Sequence, residues 1–323
     1  MATRDPRPDA VIIGAPKAGT SALHAALARH PQVYASPVKE PKYYLCGDAP
    51  PPAYVGPGDA HSQQEWIWRR RDYQALFAAA GETQVRIEST PFYLYSPDAR
   101  RRMVTDLPDA RFVAVIRDPV DRAYSNWVHL WVDGLEPERD FCRAWDLEQD
   151  RIDAGWAPFW HYRRMGRYGE QLTALLELVE RDRLLVLRYR QLIDEPVETL
   201  NLVSRFLGID EDRIGALPPD NTRGFVQEGS RATALALALR VGAYAGQFAP
   251  PEVWRRASRP LLAARTRGGP THRPRLDPEQ RVPLVEYYRD DIAQLEQVLD
   301  RPFADWLSDT GRGSFGERSA TSR

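Results

Sequence analysis

The chain carries 44 lysines and arginines, yet only Lys17, Lys39 and Lys42 are lysines, and all lie within the first 42 of 323 residues. Arginine presents a planar fork and lysine a compact point charge, so the three lysines mark places where an ammonium is chemically required. Lys17 lies in Gly14-Ala-Pro-Lys-Ala-Gly-Thr-Ser21, whose glycines are spaced as in a nucleotide-triphosphate loop. Such a loop places lysine directly after its second glycine, where this chain has Thr20, which disfavours a kinase or ATPase. The anion-binding physics remains. Backbone N–H groups of Ala18, Gly19, Thr20 and Ser21 can cradle a phosphate at a helix N-terminus, and the Thr20 and Ser21 hydroxyls add donors. Lys17 is then placed to reach the oxygen between that phosphate and a transferred group, where charge builds on departure.

Two further patterns carry chemistry. Val113-Ala-Val-Ile-Arg-Asp-Pro-Val-Asp-Arg-Ala-Tyr-Ser125 puts Arg117 at the end of an apolar run and Ser125 two turns into the next helix, a guanidinium fork and a hydroxyl for one phosphate. Lys39-Glu-Pro-Lys42 supplies a carboxylate, Glu40, between two cations. Glu40, Glu88 and His24 are the candidates for a general base. Nearby lysines lower a carboxyl pKa and weaken it as a base unless burial opposes them, and the sequence leaves that tension open.

The elements that position these residues alternate. Val11 to Gly14 reads as a strand, Ala22 to Arg29 as a helix, Val85 to Glu88 and Arg111 to Ile116 as strands. Asp118 is an N-cap with Pro119 at the first helical position, opening a helix to about Trp131. Gln64 to Ala80, Gly169 to Glu180, Glu195 to Leu207 (stopped by Gly208) and Pro278 to Leu299 read as helices, and Leu184 to Leu187 as a strand. This implies an α/β fold, P-loop-like and three-layered, with a central mostly parallel sheet covered by helices on both faces and ligands at the carboxyl ends of its strands.

Composition sets outer bounds. A net charge of −1 and 43% hydrophobic residues describe a globular protein whose overall balance gives no bias toward nucleic acid or anionic membranes, so any anion site must be local. Residues 1–9 lack an apolar leader, and the most apolar later run, Ala232 to Ala245, is broken by Arg240 and is too short to span a membrane. A cytoplasmic location is expected. Cys46 and Cys142 are too few and too far apart for a disulfide framework or a cysteine-built zinc site. Residues 10–308 read as one domain between a flexible tail, 1–9, and a disordered tail, 309–323.

The loop Pro16-Lys-Ala-Gly-Thr-Ser21 together with Arg117-Asp-Pro and Arg122-Ala-Tyr-Ser125 resembles the sulfotransferases that use 3′-phosphoadenosine 5′-phosphosulfate. Further matches are Lys39-Glu-Pro-Lys-Tyr-Tyr44, Glu88-Ser-Thr-Pro-Phe-Tyr93, Gly166-Arg-Tyr-Gly-Glu-Gln-Leu172 and Phe206-Leu-Gly208 after Asp194-Glu-Pro196, so the likeness runs from about Val11 to Leu307. It is nearest the branch of heparan sulfate sulfotransferases and bacterial enzymes that sulfate small molecules. The resemblance implies transfer of a sulfuryl group to an acceptor hydroxyl, release of 3′,5′-bisphosphoadenosine, and no metal. It implies that Arg117 and Ser125 hold the 3′-phosphate, that Glu40 is the base, and that Lys42 lies beside the sulfuryl oxygens. It also matches Asn221, Ser230 and Arg231 to late donor-binding positions. Ser89 stands where the heparan-sulfating relatives carry lysine, which argues against a polysaccharide acceptor.

Trp127, Trp131, Trp145, Trp156, Phe159, Trp160 and Tyr162 either pack the core or line a pocket for an aromatic or glycosylated small-molecule acceptor, the pocket reading resting chiefly on the loop-like stretch Trp156 to Tyr162. Arg255 to Arg275 holds seven arginines and no acid, and reads as a solvated linker, a lid over the donor or a contact for an anionic acceptor. Two other readings stay open: a kinase-like phosphotransferase with a degenerate loop, and a nucleotide-binding module without chemistry. N-sulfation and a homodimer are also compatible with the sequence.

Overall fold

The structure is a computed structural model, and it describes residues 5–218, 225–226, 229–267 and 276–308. Its centre is a five-stranded sheet of order β2-β3-β1-β4-β5. The strands are β1 (Ala10–Gly14), β2 (Val33–Ala35), β3 (Val85–Ser89), β4 (Arg111–Ile116) and β5 (Leu184–Arg188). Every pair is parallel, with registers such as Val11↔Glu88, Ile12↔Val113 and Val113↔Leu185. All of β1 and five of the six residues of β4 are buried, as expected of strands covered on both faces.

Fourteen α-helices surround the sheet: α1 (Thr20–Leu27), α2 (Tyr43–Cys46), α3 (Asp59–Gln63), α4 (Arg70–Ala75), α5 (Pro97–Asp106), α6 (Pro119–Val132), α7 (Phe141–Asp146), α8 (Glu148–Asp153), α9 (Tyr168–Leu176), α10 (Tyr189–Asp194), α11 (Pro196–Leu207), α12 (Ser230–Gly246), α13 (Pro251–Thr266) and α14 (Pro278–Leu299), counted among the described residues. The expected caps are present. Asp118 accepts from the N–H groups of Val120 and Asp121 at 3.0 and 3.1 Å, and Gly208 closes α11 in the left-handed region.

Three expectations need correction. The helix expected over 64–80 is short, because the chain turns at Trp66 to Arg69, where Ile67 N–H bonds to the Pro41 carbonyl and ties the segment to the site. The arginine-rich segment is not a linker up to Thr266: it is the helix α13, whose Trp254 packs on Gly242 and Gly246 of α12. Most of the central aromatics are core. Trp127, Trp131, Trp145, Trp160 and Tyr162 are buried, and Trp127 stacks on both Tyr124 and Trp131. Only Trp156 and Phe159 stay half-exposed. Asn221, residues 268–275 and the tail 309–323 lie outside the described residues.

Candidate functional site

The carboxyl ends of β1, β3, β4 and β5 converge, and the chain order reverses around β1, the kind of switch point where open parallel sheets bind ligands. The loop after β1 is set by close approach. A Cβ on Gly14 would lie 2.7 Å from Leu94 Cβ, and the Ala15 N–H bonds to the Val115 carbonyl at 2.7 Å. Gly19, at φ 92°, is the N-cap of α1, and a Cβ there would be 3.0 Å from the Tyr189 ring. Thr20 is buried in the first turn of α1, while Ser21 is exposed beside it.

Arg117 links this loop to β4. Its Nη1 donates to the Lys17 carbonyl at 3.2 Å, and the guanidinium lies over the Tyr189 ring, 4.8 Å from the centroid. The residue is 5% exposed, and its Nη2 is buried without a hydrogen-bond partner among the described residues. A buried unpaired guanidinium nitrogen is costly, and an anionic oxygen would satisfy it. Arg117, Asp121, Arg188, Tyr189 and Trp306 line a cleft at this point. Ser125 is half-buried on α6, two turns beyond Arg117. Tyr189 was not singled out from sequence; the signal was an aromatic directly after the last residue of an apolar strand.

Lys17, Glu40 and Lys42 all adopt positive φ, at 67°, 61° and 63°. The other such non-glycine residues among those described are aspartates, a type that tolerates this region. For lysine and glutamate the conformation costs on the order of 1–3 kcal/mol and persists where surrounding bonds enforce it. Each has such a bond: the Lys17 carbonyl accepts from Arg117, the Glu40 N–H donates to the Ser89 carbonyl at 2.9 Å, and the Lys42 N–H donates to Thr90 Oγ1 at 3.3 Å. The ends of β3 and β4 therefore hold the two lysine-bearing turns.

The three carboxylate and imidazole candidates separate clearly. Glu40 is ion-paired with Lys39 and keeps 27% of its side chain exposed. Glu88 is fully buried, accepting hydroxyl bonds from Tyr73 and Thr90, both at 3.0 Å. Burial pushes its carboxyl up to about 7 against the pull of those hydroxyls. That value suits a base, but no acceptor can reach the group, and geometry decides. Glu88 instead supports Thr90, and through it Lys42. His24 Nδ1 lies 2.7 Å from Ser89 Oγ, and burial, reinforced by Lys39, pulls its pKa down to about 4. Its neutral ring is a weak base.

The Lys42 ammonium sits 5.1 Å from the Trp66 ring centroid and 5.9 Å from that of Phe92, which in turn meets Phe159 edge-on. Burial lowers its pKa, opposed mainly by Glu40 and Glu65. Asp59 fixes the adjoining loop by accepting from the Ala157 N–H at 2.8 Å and Trp160 Nε1 at 2.9 Å. A cation, a carboxylate and half-exposed aromatics thus share one rim. Ser230 and Arg231 open α12 on exposed surface, and none of the bonds described around Arg117 involves them. Among the described residues no acidic, histidine or cysteine cluster could hold a metal ion.

A family model described as the sulfotransferase family matches residues 8–213. Heparan sulfate glucosamine 3-O-sulfotransferase 6 of Homo sapiens is 27% identical over 204 residues, covering 62% of this chain and 52% of that protein. The bifunctional heparan sulfate N-deacetylase/N-sulfotransferase 4 of Mus musculus is 25% identical over 321 residues, 94% of this chain and 32% of that protein. The chain therefore spans about half the length of the first relative and a third of the second. The crystal structure of a sulfotransferase from Alicyclobacillus acidocaldarius superposes with a TM-score of 0.72 at 26% identity, covering 94% of this chain and 99% of that one.

Proposed function

The chain belongs to the sulfotransferase family, and we propose that it transfers a sulfuryl group from 3′-phosphoadenosine 5′-phosphosulfate to a hydroxyl of a small-molecule acceptor, releasing 3′,5′-bisphosphoadenosine. The observation that carries this reading is the Arg117 guanidinium, which bonds the Lys17 carbonyl and keeps a buried, unpartnered Nη2. This bond ties the glycine loop to the Arg-Asp-Pro motif and leaves a guanidinium nitrogen for an anionic oxygen.

The donor supplies a sulfuryl group on a phosphate that leaves readily. Arg117 and Ser125 take its 3′-phosphate, with the Tyr189 ring as a wall. The amides of Ala18, Gly19, Thr20 and Ser21 and the Lys17 charge hold the 5′-phosphate and offset the negative charge that grows on it. Glu40 accepts the proton of the acceptor hydroxyl, and Lys42 orients the acceptor and the sulfuryl oxygens. Glu88 positions Lys42 through Thr90. The scheme assigns no metal, treats residues 10–308 as one catalytic domain, and places the enzyme in the cytoplasm.

Isothermal titration with 3′,5′-bisphosphoadenosine, beside ATP with magnesium, tests the donor site. Micromolar binding that excludes ATP and is lost in Arg117→Ala supports the reading; preference for ATP, or binding unchanged by the substitution, overturns it.

A further inference from the structure

The hairpin of α12 and α13 lies beyond the residues that the family model matches, and its outer surface is unlike the rest of the molecule. Leu237, Val241, Tyr244 and Phe248 recur at helical spacing and are 56%, 60%, 70% and 81% exposed. The opposite face of α12 is well packed: Ala236, Leu239, Ala243 and Gly246 are buried, with Trp254 of α13 filling the groove at Gly242 and Gly246. The hairpin is also anchored. Arg265 donates to the Trp131 carbonyl at 2.8 Å and to the Ala232 carbonyl, and Arg240 donates to the Glu136 carbonyl at 3.4 Å. The apolar ridge is therefore a feature of a seated element, and its exposure calls for a partner.

The neighbouring helix indicates what that partner is. Along α13 stand four arginines and one acid, Glu252; Arg265 is buried and Arg255 pairs with Glu65 and Glu252, while Arg256 and Arg259 are exposed. An apolar ridge beside a basic helix is the pattern that lies in the boundary of an anionic bilayer, with aromatic and aliphatic side chains among the headgroups and arginines on their phosphates. A second copy fits less well, since self-association over this face would bring arginine-bearing helices to the same rim, like charge against like. We propose that the α12–α13 hairpin docks the protein on an anionic lipid surface through Leu237, Val241, Tyr244 and Phe248, with Arg256 and Arg259 engaging lipid phosphates.

The hairpin touches the rim of the candidate site. Gln64 Nε2 donates to the Gln247 carbonyl, Arg255 meets Glu65 at 3.5 Å, and Trp66, next in the chain, carries the Lys42 ammonium over its ring. Docking would bring that rim to the lipid surface and favour a hydroxyl borne by an amphiphile held there. This acceptor class rests on the sulfotransferase reading above, whereas vesicle binding does not, so each can fail separately.

The full chain is sedimented with vesicles of phosphatidylserine and phosphatidylcholine, and with phosphatidylcholine alone, at low and high salt. The expected result is salt-sensitive binding to the anionic vesicles, at least about tenfold weaker on phosphatidylcholine alone. The pair Tyr244→Asp with Phe248→Asp, and the pair Arg256→Glu with Arg259→Glu, should each lose about tenfold in vesicle binding. Both pairs should melt like the parent, because all four side chains are exposed. Absence of binding by the parent, or equal binding by parent and variants, overturns the proposal. So does light scattering that shows a dimer dissolved by Tyr244→Asp with Phe248→Asp, which would assign the ridge to a second copy.

Discussion

The N–H of Lys42 donates to the Thr90 hydroxyl at 3.3 Å, and that hydroxyl in turn donates to the buried Glu88 carboxylate at 3.0 Å. Thr90 is fully buried, so neither bond is replaceable by water. Thr90→Val keeps the shape, removes the donor to Glu88 and releases the positive-φ turn at Lys42. The expected loss is about 1–3 kcal/mol of stability together with a clear fall in turnover, while Thr90→Ser retains both. Urea unfolding and initial rates check this; a Thr90→Val variant with parental turnover would show that the turn holds itself.

Glu40 and Glu88 make different predictions as bases. Glu40 stands on the rim with part of its side chain open, and Glu88 is enclosed by Tyr73, Thr90 and Tyr93. Glu40→Gln should lower kcat by roughly 10²–10⁴-fold, the range for loss of a general base, with donor affinity little changed. Glu88→Gln should lower it less than about tenfold, since an amide still accepts from Tyr73. Single-turnover rates at saturating donor distinguish the two, and the reverse ranking would make Glu88 the base.

The same buried carboxyl sets a pH dependence of stability. Glu88 titrates near 7 in the folded chain because burial disfavours its charge, against an ordinary value of 4.5. Between those values the folded state holds a proton that the unfolded state has released, so stability falls as pH rises, by up to about 3 kcal/mol once pH exceeds 7. Glu88→Gln removes this slope. Urea midpoints for parent and variant should be close at pH 5 and diverge in favour of Glu88→Gln at pH 8; parallel profiles would place the slope on another group.

Four of the five strands are legible in the sequence because their signals are local, whereas β2, only three residues long, is not. β1 is a short apolar run ending in glycine, β4 one followed directly by Arg117, and Asp118 with Pro119 marks a helix start by its own chemistry. The surroundings of Lys42 are less legible because they depend on long-range placement. No local pattern shows that Glu88 would be sealed by Tyr73, that Ile67 would be drawn to Pro41, or that Lys42 would stand between Trp66 and Phe92. Composition sets Trp156 to Tyr162 apart from the other central aromatics, but only tertiary packing separates buried Trp160 and Tyr162 from half-exposed Trp156 and Phe159 within that stretch. The basic stretch from Arg255 stays open between linker, lid and acceptor contact in the sequence because the helical face of α13 is defined by Trp254 meeting two glycines of another helix.

Arg281, far along the chain on α14, is expected to position the donor site without touching it. It is 3% exposed and donates to Asp121 Oδ1 at 2.9 Å, to Asp118 Oδ2 and to the Ser308 carbonyl at 3.2 Å. Asp118 directly follows Arg117 and caps α6, so its carboxylate fixes the backbone that aims the guanidinium. Burial and the neighbouring Asp121 push the Asp118 carboxyl up to about 7, and Arg281 pulls it back. Arg281→Met leaves two half-buried carboxylates without their cation, a change worth about 1–3 kcal/mol. Without the guanidinium the Asp118 carboxyl rises further, so the deficit should be largest at pH 8 and shrink as acid protonates the group. Affinity for 3′,5′-bisphosphoadenosine should fall roughly tenfold, or about 1.4 kcal/mol, because Arg117 loses its fixed bearing. Thermal melts at pH 6 and 8 with titration calorimetry measure both effects. A destabilised Arg281→Met that binds the nucleotide as tightly as the parent would confine Arg281 to holding α14 in place.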